Sequence, residues 1–352
     1  VSEADSDDDT ETIFVSVAAY RDPLLGFTLK SAWSQAARPQ RVSFGVIDQQ
    51  PAGTHARSAA AWVHEHVRHT RVDAGEALGP CWARALAMAL WRGERWWLQV
   101  DSHTWFEPGW DTRLVRHAKA LQAAHGRRVI LGAYPNPFTL HAGQPRAHAV
   151  TQRVLAHVVA EGQAFDAAHP VLRFECVPVE TDTPVPAMHV AAGAMFAPGE
   201  ICDALPYDPR LYFHGEEQAF ALRAWTHGWS LWHVPALPLY HHYTAHRPAA
   251  AGPADAPAPD DVPRPMHWEA DARRPLPRGA GLAAGALEAA ARARLAALLW
   301  HGADLGAYGL GRARSLADYA AFSGIDYAAR QIAPHAFKAR FGHGATAAST
   351  PA

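Results

Sequence analysis

Apolar runs that end in acids recur along the first half of the chain. Ile13 to Ala19 alternates bulky and small residues and predicts a strand, closed by Tyr20-Arg21-Asp22-Pro23. Pro23 suits the first turn of a helix over Leu24 to Ala36, with Asp22 as its N-cap. Arg41 to Asp48 predicts a second strand, again ending in an acid, then Ala56 to Val67 a helix and Thr70 to Ala74 a short strand. This succession implies a parallel sheet with right-handed crossovers. After the turn Glu76-Ala77-Leu78-Gly79-Pro80, a helix is expected over Cys81 to Trp91, with Arg84 in its first turn.

The stretch Trp96 to Phe106 is the most informative. Trp96-Trp97-Leu98-Gln99-Val100 reads as a buried strand and runs into Asp101-Ser102-His103. Residues two apart on a strand point the same way, so Asp101 and His103 can meet one ion. One carboxylate oxygen and one imidazole nitrogen suit Mn²⁺, Co²⁺ or Zn²⁺. An Asp/Ser turn followed by a surface histidine is the plainer reading. Arg84 is likewise open: the helix dipole disfavours a cation there, unless an anion docks on the same helix end.

Farther along, Glu107 to Asp111 is a turn leading into a helix that ends near Ala124. Arg128 to Tyr134 is a strand that Tyr134-Pro135-Asn136-Pro137-Phe138 breaks. Between Leu140 and Thr183 only Val171 to Val179 reads as a strand, the rest as loops that shape an acceptor pocket. Val185 to Phe196 carries Ala191-Ala192-Gly193-Ala194, small enough for a ligand to approach the backbone, or for tight packing. A helix from Glu216 to His227 puts Glu216 and Glu217 in its first turn, as helix-capping acids or as groups for hydroxyl binding or base chemistry. Ser230 to Tyr240 is strand-like and ends in His241-His242-Tyr243, either a third metal ligand or two surface histidines. Pro248 to Pro265 reads as a linker, Gly281 to Trp300 as a helix and Ser315 to Ser323 as a shorter one.

Composition narrows the function. The 352 residues are 49% hydrophobic and 19% charged, which suits a well-buried core. A net charge of -2 without a basic stretch indicates no nucleic-acid surface. Three cysteines, with no C-x-x-C, fit a reducing compartment. No signal peptide is recognisable and no apolar run is long enough to span a bilayer, so a cytoplasmic protein is expected. The 22 histidines are so many that none counts without a partner. No GxGxxG follows the first strand, so a dinucleotide fingerprint is absent.

Taken in order, these residues resemble a known family: the GlcNAc transferases related to the cytoplasmic enzymes that glycosylate a hydroxyproline on a ubiquitin-ligase adaptor. They are more distantly similar to the polypeptide GalNAc transferases. The resemblance runs from Ile13-Phe14-Val15-Ser16-Val17-Ala18-Ala19-Tyr20-Arg21-Asp22-Pro23 through Ala77-Leu78-Gly79-Pro80-Cys81-Trp82-Ala83-Arg84 and Leu98-Gln99-Val100-Asp101-Ser102-His103. It continues in Pro108-Gly109-Trp110-Asp111, His214-Gly215-Glu216-Glu217 and His241-His242-Tyr243, and closes at Tyr308-Gly309-Leu310-Gly311 and Arg314-Ser315-Leu316. Each motif is weak alone; the ordered set is specific.

The resemblance implies an α/β chain of the GT-A glycosyltransferase fold, with a Rossmann-like nucleotide-binding half and a helical C-terminal extension. It implies a retaining, metal-dependent transferase that moves GlcNAc from a UDP-sugar to a hydroxyl of a protein, peptide or saccharide acceptor. Asp101 and His103 form a D-x-H variant of the D-x-D motif and hold a Mn²⁺-like ion. His241 is the third ligand, with His242 as runner-up. Tyr20, Arg21 and Asp22 face the uridine, Ser102 belongs to the donor site and Arg84 reaches the nucleotide or its phosphates. Glu216 and Glu217 line the sugar and acceptor side as the catalytic pair. The expected organisation is an acidic disordered tail over 1–11, a catalytic domain over 12–247, a Pro/Ala-rich linker or loop over 248–280, a helical extension over 281–341 and a disordered tail over 342–352. Two rivals remain: a non-catalytic nucleotide-sugar or glycan binding module, and a metal-dependent hydrolase, which lacks an H-E-x-x-H signature.

Overall fold

In a computed structural model of the chain, residues 11–51, 65–148, 153–243 and 283–341 are described. The acidic tail up to Thr10, most of the Ala56–Val67 helix, the Pro248–Pro265 linker and the tail after Gly342 lie outside these residues; Glu11, expected in the disordered tail, is instead buried and paired with Arg95 and Lys119.

An eight-stranded sheet forms the centre. Strands β1 (Ile13–Tyr20), β2 (Val42–Gln50) and β3 (Val67–Asp73) pair in parallel, with helix α1 (Leu25–Gln35) between the first two. Helix α2 (Pro80–Met88) leads to β4 (Trp96–Asp101), which pairs in parallel with β1 on its other side. Two expectations shift here. Val67 opens β3 rather than closing a helix. Helix α1 begins at Leu25, and Asp22 does not cap it; its Oδ1 accepts from the Leu24 N–H at 2.8 Å.

The chain then makes a short β5 (Thr104–Phe106), helix α3 (Trp110–His125) and β6 (Val129–Gly132). The expected break at Tyr134–Phe138 is shorter than predicted, because Asn136–His141 forms β7, paired with β8 (Gln144–Ala147). Beyond it, β9 (Val154–Val159) and β10 (Phe174–Val179) make an antiparallel pair where mostly loops were expected. No alternation marks β9, because all six of its residues are buried, His157 among them. After β11 (Val185–Pro186), strand β12 (Ala194–Pro198) inserts antiparallel between β4 and β6. Helices α4 (Ile201–Ala204) and α5 (Glu216–Thr226), then β13 (Ser230–His233) and β14 (Leu239–His241), complete this part. The sheet order is β11-β13-β6-β12-β4-β1-β2-β3. In a second sheet β14 lies between β5 and β7. Helices α6 (Ala284–Leu299) and α7 (Leu316–Ser323) follow; Ser315 caps α7 in a capping box with Asp318. Among the described residues, no helix is long and apolar enough to cross a membrane.

Strand alternation splits the core into two layers. Trp96, Leu98 and Val100 of β4 pack with Leu25 and Leu29 of α1 and with Trp110, Leu114 and Leu121 of α3. Trp97 packs on the opposite face with Met88, Phe220, Leu222, Leu295 and Leu298. By the same two-residue period, Asp101 projects to the face that carries α2 and α5. The three cysteines are buried and free.

Two predictions follow from this packing. Leu295 of α6 is fully buried, and a Cβ at Gly215, just before α5, would lie 2.6 Å from its Cδ1. Leu295→Ala should destabilise the fold by about 2–5 kcal/mol, read as a shift in the denaturant midpoint. Burial, with help from His189, pushes His157 down to about 3, and burial holds the neighbouring His233 well below the usual imidazole range. Both rings stay neutral in the fold while histidines of the unfolded chain protonate near pH 6.5. Their contribution is therefore complete above about pH 6.5 and is lost as the pH falls toward 3, because the unfolded state binds more protons. For His157 the loss should reach about 2 kcal/mol by pH 5. Melting curves from pH 7.5 to 4.5 should show this decline, and His157→Gln should flatten it.

Candidate active site

The carboxyl end of β4 meets two other elements. Asp101 closes β4, Ser102-His103 turns the chain, and Thr104 opens β5. This turn, rather than continued strand alternation, brings His103 round beside Asp101. Strand β14 pairs antiparallel with β5 in a register that sets His241 opposite Thr104. Asp101, His103 and His241 thus converge, each offering one ligand atom, all within 4.8 Å of one another. His241 Nε2 lies 3.1 Å from Asp101 Oδ2 and 2.9 Å from His103 Nε2. His242 does not join them. Its N–H donates to the His103 carbonyl, and its ring packs edge-on against Phe138.

The arrangement fits a divalent ion. His103 Nδ1 lies 2.6 Å from Asp22 Oδ2, so its Nδ1–H donates to that carboxylate and its Nε2 is left as a lone pair. Ser102 Oγ donates to the same oxygen at 2.7 Å. One carboxylate oxygen and two imidazole nitrogens sit about 3 Å apart where they touch, the spacing of adjacent octahedral ligands with bonds of about 2.1 Å. Gly193 crowds this group: a Cβ there would lie 3.0 Å from Asp101 Oδ2 and 3.7 Å from His241 Cδ2. The small residues expected at a strand end precede β12 instead, and its antiparallel pairing carries them to the end of β4.

Arg84 ties the site to the helical layer. Its Nη2 donates to Asp101 Oδ1 at 3.0 Å and its Nη1 to Glu216 Oε1. Burial works against the guanidinium charge, but Glu216, then Tyr207 and Asp101, outweigh it and raise the Arg84 pKa. Burial also works against the Asp101 carboxylate, yet the His241 hydrogen bond and Arg84 hold it well below the usual range. Glu216 goes the other way: burial raises it more than Arg84 lowers it. Cys81 Sγ donates to its other oxygen at 3.5 Å.

Glu217, the next residue of α5, looks elsewhere. Its Oε1 accepts from the Ala192 N–H at 2.7 Å, and its Oε2 lies 3.5 Å from His189 Nε2. Burial alone would raise Glu217, but His189, His157 and the Ala192 N–H bring it below its ordinary value. Arg84, Asp101, Gly193, Glu216 and Glu217 line one cleft of about 810 Å³, together with Phe174 and His189. Tyr20 closes β1 and Arg21 turns the chain with φ of 50°, but neither lines this cleft. Sequence reasoning did not single out His189 or Gln99, whose Nε2 donates to the Ala192 carbonyl and to Tyr207 Oη. A polar residue inside the apolar run Trp96–Val100 was the available signal for Gln99; His189 had none among so many histidines.

Comparison with known proteins agrees with the architecture. The crystal structure of GalNAc-T7 with UDP, GalNAc and Mn²⁺ superposes with a TM-score of 0.52 and 16% identity, covering 75% of this chain and 48% of that one. The chain thus spans about half the length of that structure. Staphylococcus aureus TarS 1-349 matches with a TM-score of 0.40 and 13% identity, over 66% of this chain and 60% of that one. No curated protein matches. The α/β layers are those of the GT-A glycosyltransferase fold. The family described as Glycosyltransferase (GlcNAc) matches residues 12–60 and 50–329, nearly all of the described structure, and the chain belongs to that family of glycosyltransferases.

Proposed function

We propose that the chain transfers a sugar, GlcNAc by preference, from a UDP-sugar to a hydroxyl acceptor, with a divalent ion, Mn²⁺ foremost, and with retention at the anomeric carbon. The observation that carries this reading is the convergence of Asp101, His103 and His241 beside the Arg84–Glu216 pair in a member of a GlcNAc glycosyltransferase family. GalNAc-T7, which shares the fold, was crystallised with UDP, GalNAc and Mn²⁺.

Asp101, His103 and His241 hold the ion. When bound, it supplies Lewis-acid stabilisation for the negative charge that grows on the diphosphate as the anomeric bond breaks. Asp22 keeps His103 in the tautomer that offers Nε2. Arg84 holds Asp101 in place and adds a fixed positive charge close by. Glu216 is committed to Arg84, which leaves Glu217 as the carboxylate available to the sugar. Tyr20, Arg21 and Asp22 border the nucleotide end, Ser102 braces Asp22, and residues 12–247 form the catalytic unit. The acceptor hydroxyl attacks from the face that the diphosphate leaves, and its proton passes to the departing phosphate oxygen, so no enzyme nucleophile takes part.

Incubation with UDP-GlcNAc, UDP-GalNAc and UDP-glucose, without acceptor, should release UDP slowly from one donor with Mn²⁺ and from none with EDTA. Asp101→Ala should lower that release at least about 100-fold while leaving the melting temperature within a few degrees. Retention of most of the release by Asp101→Ala would remove the metal site from this reading. Absence of Mn²⁺-dependent UDP binding in the parent protein would remove the nucleotide-sugar donor itself.

A further inference from the structure

We propose that His189 is a positioning residue that aims the Glu217 carboxylate at a hydroxyl of the donor sugar. The inference rests on the UDP-sugar reading and deepens it.

His189 is only 2% exposed, and its ring lies flat on Phe174, with centroids 3.6 Å apart and planes at 5°. His157 meets it edge-on at 5.5 Å. The ring therefore has little freedom to turn. Its Nε2 stands 3.5 Å from Glu217 Oε2, and its buried Nδ1 has no hydrogen-bond partner among the described residues. A proton on Nδ1 would be stranded, and a lone pair on Nε2 would oppose the carboxylate. The favoured tautomer therefore carries its proton on Nε2 and gives it to Glu217.

Glu217 is thereby held on both oxygens, by His189 on one and by the Ala192 N–H on the other. Each oxygen keeps a further lone pair, and the side chain remains 37% exposed in the cleft. Such a group accepts hydrogen bonds and donates none, so it suits a sugar hydroxyl. Its position matches that use. Ala192 bonds Glu217, and the next residue, Gly193, lies against Asp101. One peptide unit thus separates the anchor of Glu217 from the proposed diphosphate end. The neighbouring Glu216 cannot share the task while Arg84 and Cys81 hold it.

The test compares His189→Phe, which keeps a stacked ring without a donor, with His189→Gln, whose amide can donate from a similar place. Dissociation constants for UDP and UDP-GlcNAc are measured by calorimetry with Mn²⁺, alongside KM and kcat for UDP release. His189→Phe should weaken UDP-GlcNAc about tenfold and raise KM to match, with UDP affinity unchanged. His189→Gln should recover most of the loss, and neither change should add to Glu217→Gln. Equal UDP-GlcNAc affinity in His189→Phe and the parent overturns the proposal, as does equal loss in the Phe and Gln variants. Should the Phe variant not fold, His189→Met, which also lacks a donor, takes its place. A parent protein that binds neither UDP nor UDP-GlcNAc refutes the donor reading itself, whereas binding that ignores His189 refutes only this assignment.

Discussion

The site depends on one buried guanidinium. Arg84, the fifth residue of α2, reaches carboxylates on two other elements. A sheet residue and a helix residue are thereby locked into one geometry. Both carboxylates work against their own desolvation, and both lean on the same positive charge. Removal of Arg84 would leave Asp101 beside Glu216 with no cation between them, the costly kind of broken buried pair. The Arg84 charge is sustained by tertiary partners, Glu216 before Asp101, against the cost of its burial.

Strand topology explains why the remaining groups gather at the same place. The parallel strands β4 and β1 end side by side, and Asp101 and Asp22 follow from those ends. Insertion of β12 in the opposite sense begins a strand where β4 stops, so Gly193 meets Asp101. The small sheet repeats the device, since β14 runs antiparallel to β5 and ends with His241 over the β4–β5 turn. These two reversals of chain direction bring side chains up to 140 residues apart into contact.

This topology also marks what the sequence made legible. The strands at Ile13, Val42 and Trp96, and the helices at Trp110, Glu216 and Ala284, were readable because each carries its own period and boundary residues. The D-x-H pair was readable as chemistry, although the reason given for its convergence was incomplete: a turn does the work, not the pleat. Strands β7 and β8 were obscured by their prolines and β9 by burial of every residue, whereas β10 falls within the strand expected over Val171 to Val179. Arg84 could be noticed as an oddly placed cation, but its partners are long-range contacts that no local pattern encodes. His189 is the extreme case: nothing near it in sequence distinguishes it from the other histidines.

Histidine abundance resolves into separate jobs once partners are known. His157 and His233 are buried against each other, and burial keeps them neutral. His103 faces Asp22 through Nδ1 and the metal-competent group through Nε2, so one carboxylate selects the tautomer that the other nitrogen needs. His189 faces Glu217 through Nε2 in a similar manner, at 3.5 Å. In both places the contact with an acid settles which ring nitrogen of the histidine is engaged. A chain with many histidines can therefore build a selective site, because selectivity comes from which ring nitrogen is occupied and not from how many rings are present.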